Sequence, residues 1–154
     1  EIAPRLRRYF SPPSGKRILY SEKLTKMIRE GGLVPYLPPE DRVDYPPTEF
    51  DAFEVLNPDG SHYQDVDNSP VVVVGDSFTS RYSNHAGHLS AHLAKELGFA
   101  VSTLSQKGDG PGALRTMVGQ DPKNIAERRV AVWVISSVSL GNRFAELWRM
   151  PHAL

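Results

Sequence analysis

The chain of 154 residues contains no cysteine. That absence removes disulfides, thiol nucleophiles and thiolate metal sites, but it leaves the compartment open, because an extracytoplasmic protein can do without disulfides. Net charge is missing too: 18 Lys and Arg balance 18 Asp and Glu. No overall field therefore draws the chain to nucleic acid or to an anionic membrane. Neutral or sugar-like substrates suit this balance better than polyanions, with local charged patches left open. No apolar run reaches the roughly 18 residues that span a bilayer, and no signal-peptide core stands at the start. The first residue is Glu1 rather than Met, which suggests a trimmed or partial product, in which any targeting segment would already be gone. No internal repeat is present. What remains, with 40% hydrophobic and 23% charged residues, is enough chain for one globular domain with a core.

Proline is abundant but uneven, ten of the thirteen preceding Val71. This divides the chain into a Pro-rich arm, residues 1–54, and a regular part, residues 55–154. In the arm, Ser21 is a helix N-cap type, Leu24, Met27 and Ile28 follow at helical spacing, and Gly31-Gly32 is a stop. The pattern predicts a short amphipathic helix over 21–30. Leu37-Pro-Pro39 and Tyr45-Pro-Pro47 call for extended backbone, and Asn57-Pro-Asp-Gly60 for a turn, with 53–55 and 61–63 as its hairpin strands.

The regular part opens on four valines, Val71 to Val74, followed by Gly75-Asp76-Ser77-Phe78. Four β-branched residues in a row suit a strand buried on both faces, the middle of a parallel sheet. A helix over 85–97 follows, with Ala86, Leu89, Leu93 and Leu97 on one face and Gly98 as its stop. Then come a strand over 99–104, a Gly-rich loop, a short helix from Pro111 to about Val118, and a strand over 130–135. Phe144, Leu147 and Trp148 suggest a last helical turn or two. Alternating elements of this kind give an α/β fold, a parallel sheet with right-handed crossovers. Three strands are few for such a sheet, so it reads as incomplete.

Ser77 falls just past the carboxyl end of the valine strand, where open α/β sheets gather ligands. The segment after the serine reads as a helix, which puts the Ser77 hydroxyl at or near a helix N-terminus, where free N–H groups assist both deprotonation of the hydroxyl and stabilisation of an oxyanion. An ordinary strand-to-helix turn, with Asp76 or Ser77 as the cap, satisfies the same pattern.

Val71-Val-Val-Val-Gly-Asp-Ser-Phe-Thr-Ser80 resembles the first block of the GDSL/SGNH hydrolase superfamily. Ser105-Gln-Lys-Gly-Asp-Gly-Pro-Gly112, and Val132-Trp-Val-Ile135 running towards Arg143 and Trp148, make the chain similar to the alginate-acetyltransferase-like branch over about residues 55–150. The resemblance implies a three-layer SGNH-like (flavodoxin-like) α/β domain, and extracytoplasmic, for instance periplasmic, proteins that O-acetylate polysaccharides. It implies Ser77 as nucleophile within the Asp76-Ser77 pair, and Gly108 as a second oxyanion donor beside the Ser77 N–H. It implies an acetyl donor or acetylated carbohydrate as partner, a membrane-bound acetyl-transfer partner, and no cofactor or metal.

The base is where the chain departs from that pattern. The branch carries Asp-x-His upstream of the serine, and none occurs here. Most GDSL enzymes carry Asp-x-x-His near the C-terminus, but His152 has Arg149 at that distance, and Asn142 is no secure match for the block-three asparagine. Asp59-Gly-Ser-His62 alone has Asp-x-x-His spacing, in what reads as a surface hairpin. His85, His88 and His92, three and four apart, fall on one side of the expected helix, and that side reads as solvated rather than metal-binding. His85 is also close enough in sequence to Ser77 to be weighed as its base. Two functions follow: serine-dependent acyl transfer or ester hydrolysis on a carbohydrate, with the Asp–His pair supplied from elsewhere, or a catalytically incomplete SGNH-like module that binds carbohydrate or protein. A flavodoxin-like small-ligand module fits less well, because Gly75 to Phe78 is too short to cradle a phosphate.

Overall fold

The computed structural model describes residues 2–9, 15–31, 33–105, 112, 113, 115, 116, 119 and 128–136. Its centre is β3 (Val71–Gly75), buried along its whole length. β4 (Ser102–Ser105) and β5 (Val130–Trp133) lie parallel to it on either side, in the order β4-β3-β5. Val72 pairs with Ser102 and Gly75 with Ser105; Val71 pairs with Val130 and Val74 with Trp133. The valine run is thus the middle strand, each residue covered from above or below. On one face Val71 and Val73 pack with Val55, Tyr63, Val101 and the buried side of α2 (Leu89–Leu97), and on the other Val72 and Val74 meet Leu104 and Ala113. Burial on both faces is what permits four β-branched residues in succession.

α2 is shorter than the pattern predicts. It starts at Leu89, behind His88 in extended conformation, and ends at Gly98, whose φ of 81° only glycine adopts freely. Leu93 and Leu97 face the core as expected, joined by Ser90, Ala91 and Ala94, while the buried Ala86 lies outside the helix. A short helix, α1 (Ile2–Leu6), packs Ala3 and Leu6 into the same core, and Arg7 and Arg17 both donate to the Glu96 carbonyl. The helix expected from Pro111 is described at residues 112, 113, 115, 116 and 119, all helical. The expected final turns around Trp148 lie outside the described residues.

The amphipathic helix expected over 21–30 is instead a strand, β1 (Ser21–Arg29). It pairs antiparallel with β2 (Thr48–Leu56) through nine consecutive positions, from Ser21 with Leu56 to Arg29 with Thr48. Tertiary pairing overrides a weak local preference here. A helical stripe needs a surface to lie on, yet Leu24 and Ile28 are exposed and only Met27 is buried. Two 3₁₀ turns, Val34–Tyr36 and Asp41–Asp44, interrupt the extended backbone expected between the proline pairs. The hairpin around Asn57 to Gly60 forms as a tight turn with one bridge, Leu56 to His62, and a Tyr63 N–H to Val55 carbonyl bond beyond it. Tyr63 then reaches across the core: its hydroxyl donates to the Val101 carbonyl and accepts from the Val101 N–H. Burial pushes that phenol well above its ordinary value of 10.0.

Candidate functional site

Gly75 ends β3 because nothing larger fits. A Cβ there would stand 2.8 Å from the Val134 carbonyl oxygen and collide with the Thr79 methyl. The chain then folds back at once: the Thr79 N–H and hydroxyl both donate to the Asp76 carbonyl, and the Asp76 carboxylate accepts from the Phe78 N–H at 2.9 Å. Asp76 and Thr79 are buried and Ser77 is exposed between them. The result is a small rigid corner carrying the serine outward.

No helix begins at this corner, contrary to the expectation. Residues 76–82 form successive turns, a 3₁₀ turn spans Ser83–His85, and α2 starts only at Leu89. Two non-glycine residues in left-handed conformation, Tyr82 (φ 65°) and Ala86 (φ 49°), bend the backbone out of the helical path. The Ser77 N–H is therefore not the first donor of a regular helix. It nevertheless donates to no protein acceptor among the described residues, which leaves it available to a ligand. The corner is tied to the neighbouring strand end, since the Ser105 hydroxyl donates to Ser80 Oγ at 3.0 Å and Gly75 pairs with Ser105. β4 thus ends at the same carboxyl edge as β3, beside the serine corner. Gly108 itself, with Asn142 and His152, lies outside the described residues.

The Asp59–His62 spacing does not make a dyad. Asp59 accepts from both the N–H and the hydroxyl of Ser61, at 2.9 and 2.6 Å, and these bonds hold its carboxyl below the usual range. It is a turn residue, as a Pro-Asp-Gly corner requires. His62 instead faces Glu54 at 3.5 Å, and His85 faces the same carboxylate from the other side at 3.7 Å. Glu54 is buried, so the two partly exposed imidazoles shield a charge that β2 carries under the loop.

The three-histidine stripe is dispersed as well, because the helix supposed to carry it begins too late. His85 lies in the 3₁₀ turn and His88 precedes α2; only His92 is on the helix. His88 is buried, not solvated, its Nε2 on the Asp65 carboxylate at 3.1 Å and its Nδ1 unpartnered. Burial pushes Asp65 upward, but hydrogen bonds from His88 and Thr103 prevail and hold it below its ordinary value. His92 meets Glu22 of β1, which also pairs with Lys95 at 2.6 Å. Each of these three histidines faces a different carboxylate, and no group of three metal-ligating side chains converges among the described residues. An imidazole within hydrogen-bonding reach of the Ser77 hydroxyl is likewise absent among them.

With this geometry in hand, the chain superposes on the O-acetyltransferase domain of Pseudomonas putida AlgJ with a TM-score of 0.60, at 20% sequence identity, over 96% of its own length. The fold is SGNH-like. The chain spans 54% of the AlgJ chain and so corresponds to part of that domain. No family model matches the sequence, and no curated protein matches it. Among the described residues no helix is long and apolar enough to cross a membrane.

What the sequence did not reveal is the neighbourhood of the serine. Arg81 stacks over the rings of Phe78 and Tyr82, with centroids 5.6 and 5.7 Å from its guanidinium carbon, and Tyr82 meets Phe50 of β2 edge-on at 5.7 Å. The only hint in the sequence was the spacing Phe-x-x-Arg-Tyr, three and four apart, which a helix would also have gathered on one side.

Proposed function

We propose that the chain is part of a serine-dependent acyltransferase or esterase acting on carbohydrate, with Ser77 as the nucleophile. The observation that carries this reading is the corner itself: an exposed serine at the carboxyl end of the central strand, held by Asp76 and Thr79, with an N–H that donates to no acceptor among the described residues. Such an N–H is positioned to donate to the oxyanion of a tetrahedral intermediate. Gly108 is the second donor in this reading, three residues beyond Ser105, which ends β4 beside the corner. The AlgJ O-acetyltransferase domain, similar in fold, supports acetyl as the group transferred, and an extracytoplasmic location is part of the same proposal. An acetyl donor, an acetylated glycan and a membrane-bound transfer partner complete the proposal.

A serine hydroxyl without a base is a weak nucleophile, and the lack of an imidazole beside it among the described residues favours a second reading, in which the same corner binds carbohydrate or protein without chemistry. Reaction with a fluorophosphonate probe separates the two. The nucleophile reading expects a single adduct, located at Ser77 by peptide mass spectrometry and lost in Ser77→Ala. Labelling that ignores Ser77→Ala, or no labelling in a chain extended to include an upstream Asp-x-His, overturns it in favour of the binding module.

A further inference from the structure

Charge is balanced over the chain but not along it. Residues 2–20 hold Arg5, Arg7, Arg8, Lys16 and Arg17 and no acid, whereas residues 30–51 hold Glu30, Glu40, Asp41, Asp44, Glu49 and Asp51 against a single cation, Arg42. Arg42 neutralises little of this, because its guanidinium turns back onto the Leu37 and Pro35 carbonyls. Lys26 takes Glu49, but Glu40, Asp41 and Asp44 are exposed and have no cationic partner among the described residues. Arg5, Arg8 and Lys16 are exposed too, and have no carboxylate among those residues. The two segments stand too far apart to meet within one copy. The basic one precedes Ser21 and is pinned to the end of α2 by Arg7 and Arg17 on the Glu96 carbonyl. The uncovered acids cap the other end of a ribbon nine pairs long, about 30 Å away.

Between these ends lies an uncovered apolar face. On the side of the ribbon that carries Glu22, strand alternation brings Leu24 beside its cross-strand partner Phe53. At its base this side is closed by α2, through Glu22 on Lys95 and the buried Val55. At the next pair on the same side the cover ends, and Leu24 and Phe53 are 56% and 51% exposed. Tyr36 and Val43 stand exposed in the acidic segment, and Tyr9 and Leu19 in the basic one. Large apolar groups exposed together mark an interaction surface.

We infer that the occupant of this face is a second copy of the chain. Two ribbons laid face to face and tip to base, about a two-fold axis near Leu24 and Phe53, put each acidic segment on the basic segment of the other copy. One contact made twice then closes the pair. Opposite charge at both ends sets the register, and burial of the Leu24 and Phe53 side chains with the flanking apolar groups supplies the driving force. A purely acidic or purely basic partner would match one end of the face only, whereas a second copy matches both. The inference goes beyond the acyl-transfer reading and does not depend on it.

Analytical ultracentrifugation of the chain over a concentration series tests this. The expected result is a reversible monomer–dimer equilibrium that weakens about tenfold as salt rises from about 0.1 to about 1 M, which shortens the screening length from about 10 to about 3 Å. One variant, Glu40→Lys with Asp41→Lys and Asp44→Lys, makes both ends basic; a second, Arg5→Glu with Arg8→Glu and Lys16→Glu, makes both ends acidic. All six positions are exposed, so the fold tolerates the changes. Each variant alone should dimerise at least about tenfold more weakly than the parent. An equal mixture of the two should recover a heterodimer of parental strength, because each end again meets its opposite. Phe53→Ala should weaken the dimer at either salt, and Ser77→Ala should dimerise as the parent does, so the fate of the nucleophile reading is separate. A monomer at every concentration overturns the pairing, as does a mixture that stays monomeric while the parent dimerises. Growth beyond a dimer also overturns it, replacing the closed pair with an open head-to-tail chain. A monomer that instead co-sediments with phosphatidylglycerol vesicles, and loses this in the Arg5, Arg8 and Lys16 variant, gives the basic segment to an anionic surface and likewise overturns it.

Discussion

Asp65 and His88 form a pair that no motif announces, because its members are far apart in sequence and are joined only when α2 docks on β4. The imidazole, the Thr103 hydroxyl and the Tyr63 side chain converge on the carboxylate and favour its ionised form. A carboxylate held below its unfolded value contributes stability that is present above that value and is lost as pH falls through the folded one. For Asp65 the loss begins near the ordinary 3.8 and continues below it. Urea titrations from pH 7 to pH 3 should therefore show stability falling most steeply at the acid end, and Asp65→Asn should flatten that fall while lowering stability at pH 7. An unchanged acid slope in Asp65→Asn would assign the pair no part in it. The orphaned His88 Nδ1 shows how little room the site has, since a buried imidazole nitrogen without a partner is itself destabilising.

Among the elements, β1 gives the sharpest contrast between pattern and structure. Leu24, Met27 and Ile28 fit a helical stripe, and the same residues fit a ribbon in which only Met27 points inward. The two cases differ in energetic consequence. Met27→Ala should cost about 2–5 kcal/mol as a core truncation, whereas Ile28→Ala, at a position 74% exposed, should stay within about 0.5 kcal/mol. Comparable losses at both positions in chemical denaturation would restore the helix. The central strand, by contrast, was legible from the valines alone, since burial on both faces leaves no alternation to misread. α2 was legible at its glycine end and not at its start, because the left-handed Tyr82 and Ala86 have no sequence signature; glycine would have given one. The serine corner was visible as a motif, while Glu54 between two imidazoles and the Tyr82 ring against Phe50 arise from contacts with β2 that local spacing cannot encode.

At the scale of the whole molecule, the serine corner has no imidazole within reach among the described residues, in a chain that spans about half of the AlgJ domain it resembles in fold. General-base assistance contributes typically 10²–10⁴-fold, so the expected behaviour is feeble turnover of 4-nitrophenyl acetate by the present chain. An increase of about that size is expected when an upstream segment that carries an Asp-x-His pair is attached, and Ser77→Ala should abolish the gain. Fast Ser77-dependent turnover by the present chain would contradict this. It would point to His62 or His85, the two histidines that already share a buried carboxylate.

The strand that carries the serine is flanked on both sides by strands encoded after it. During synthesis the four valines emerge with neither neighbour available: Val72 awaits Ser102, and Val71 awaits Val130. At roughly 5–20 residues per second the wait for β5 lasts several seconds. Through that interval an uncharged β-branched segment, the type most prone to intermolecular pairing, has only Asp67 and Asp76 near its ends to discourage association. The corner that displays Ser77 is thus a late product of folding, and a nascent chain halted before Trp133 presents a bare strand edge in its place.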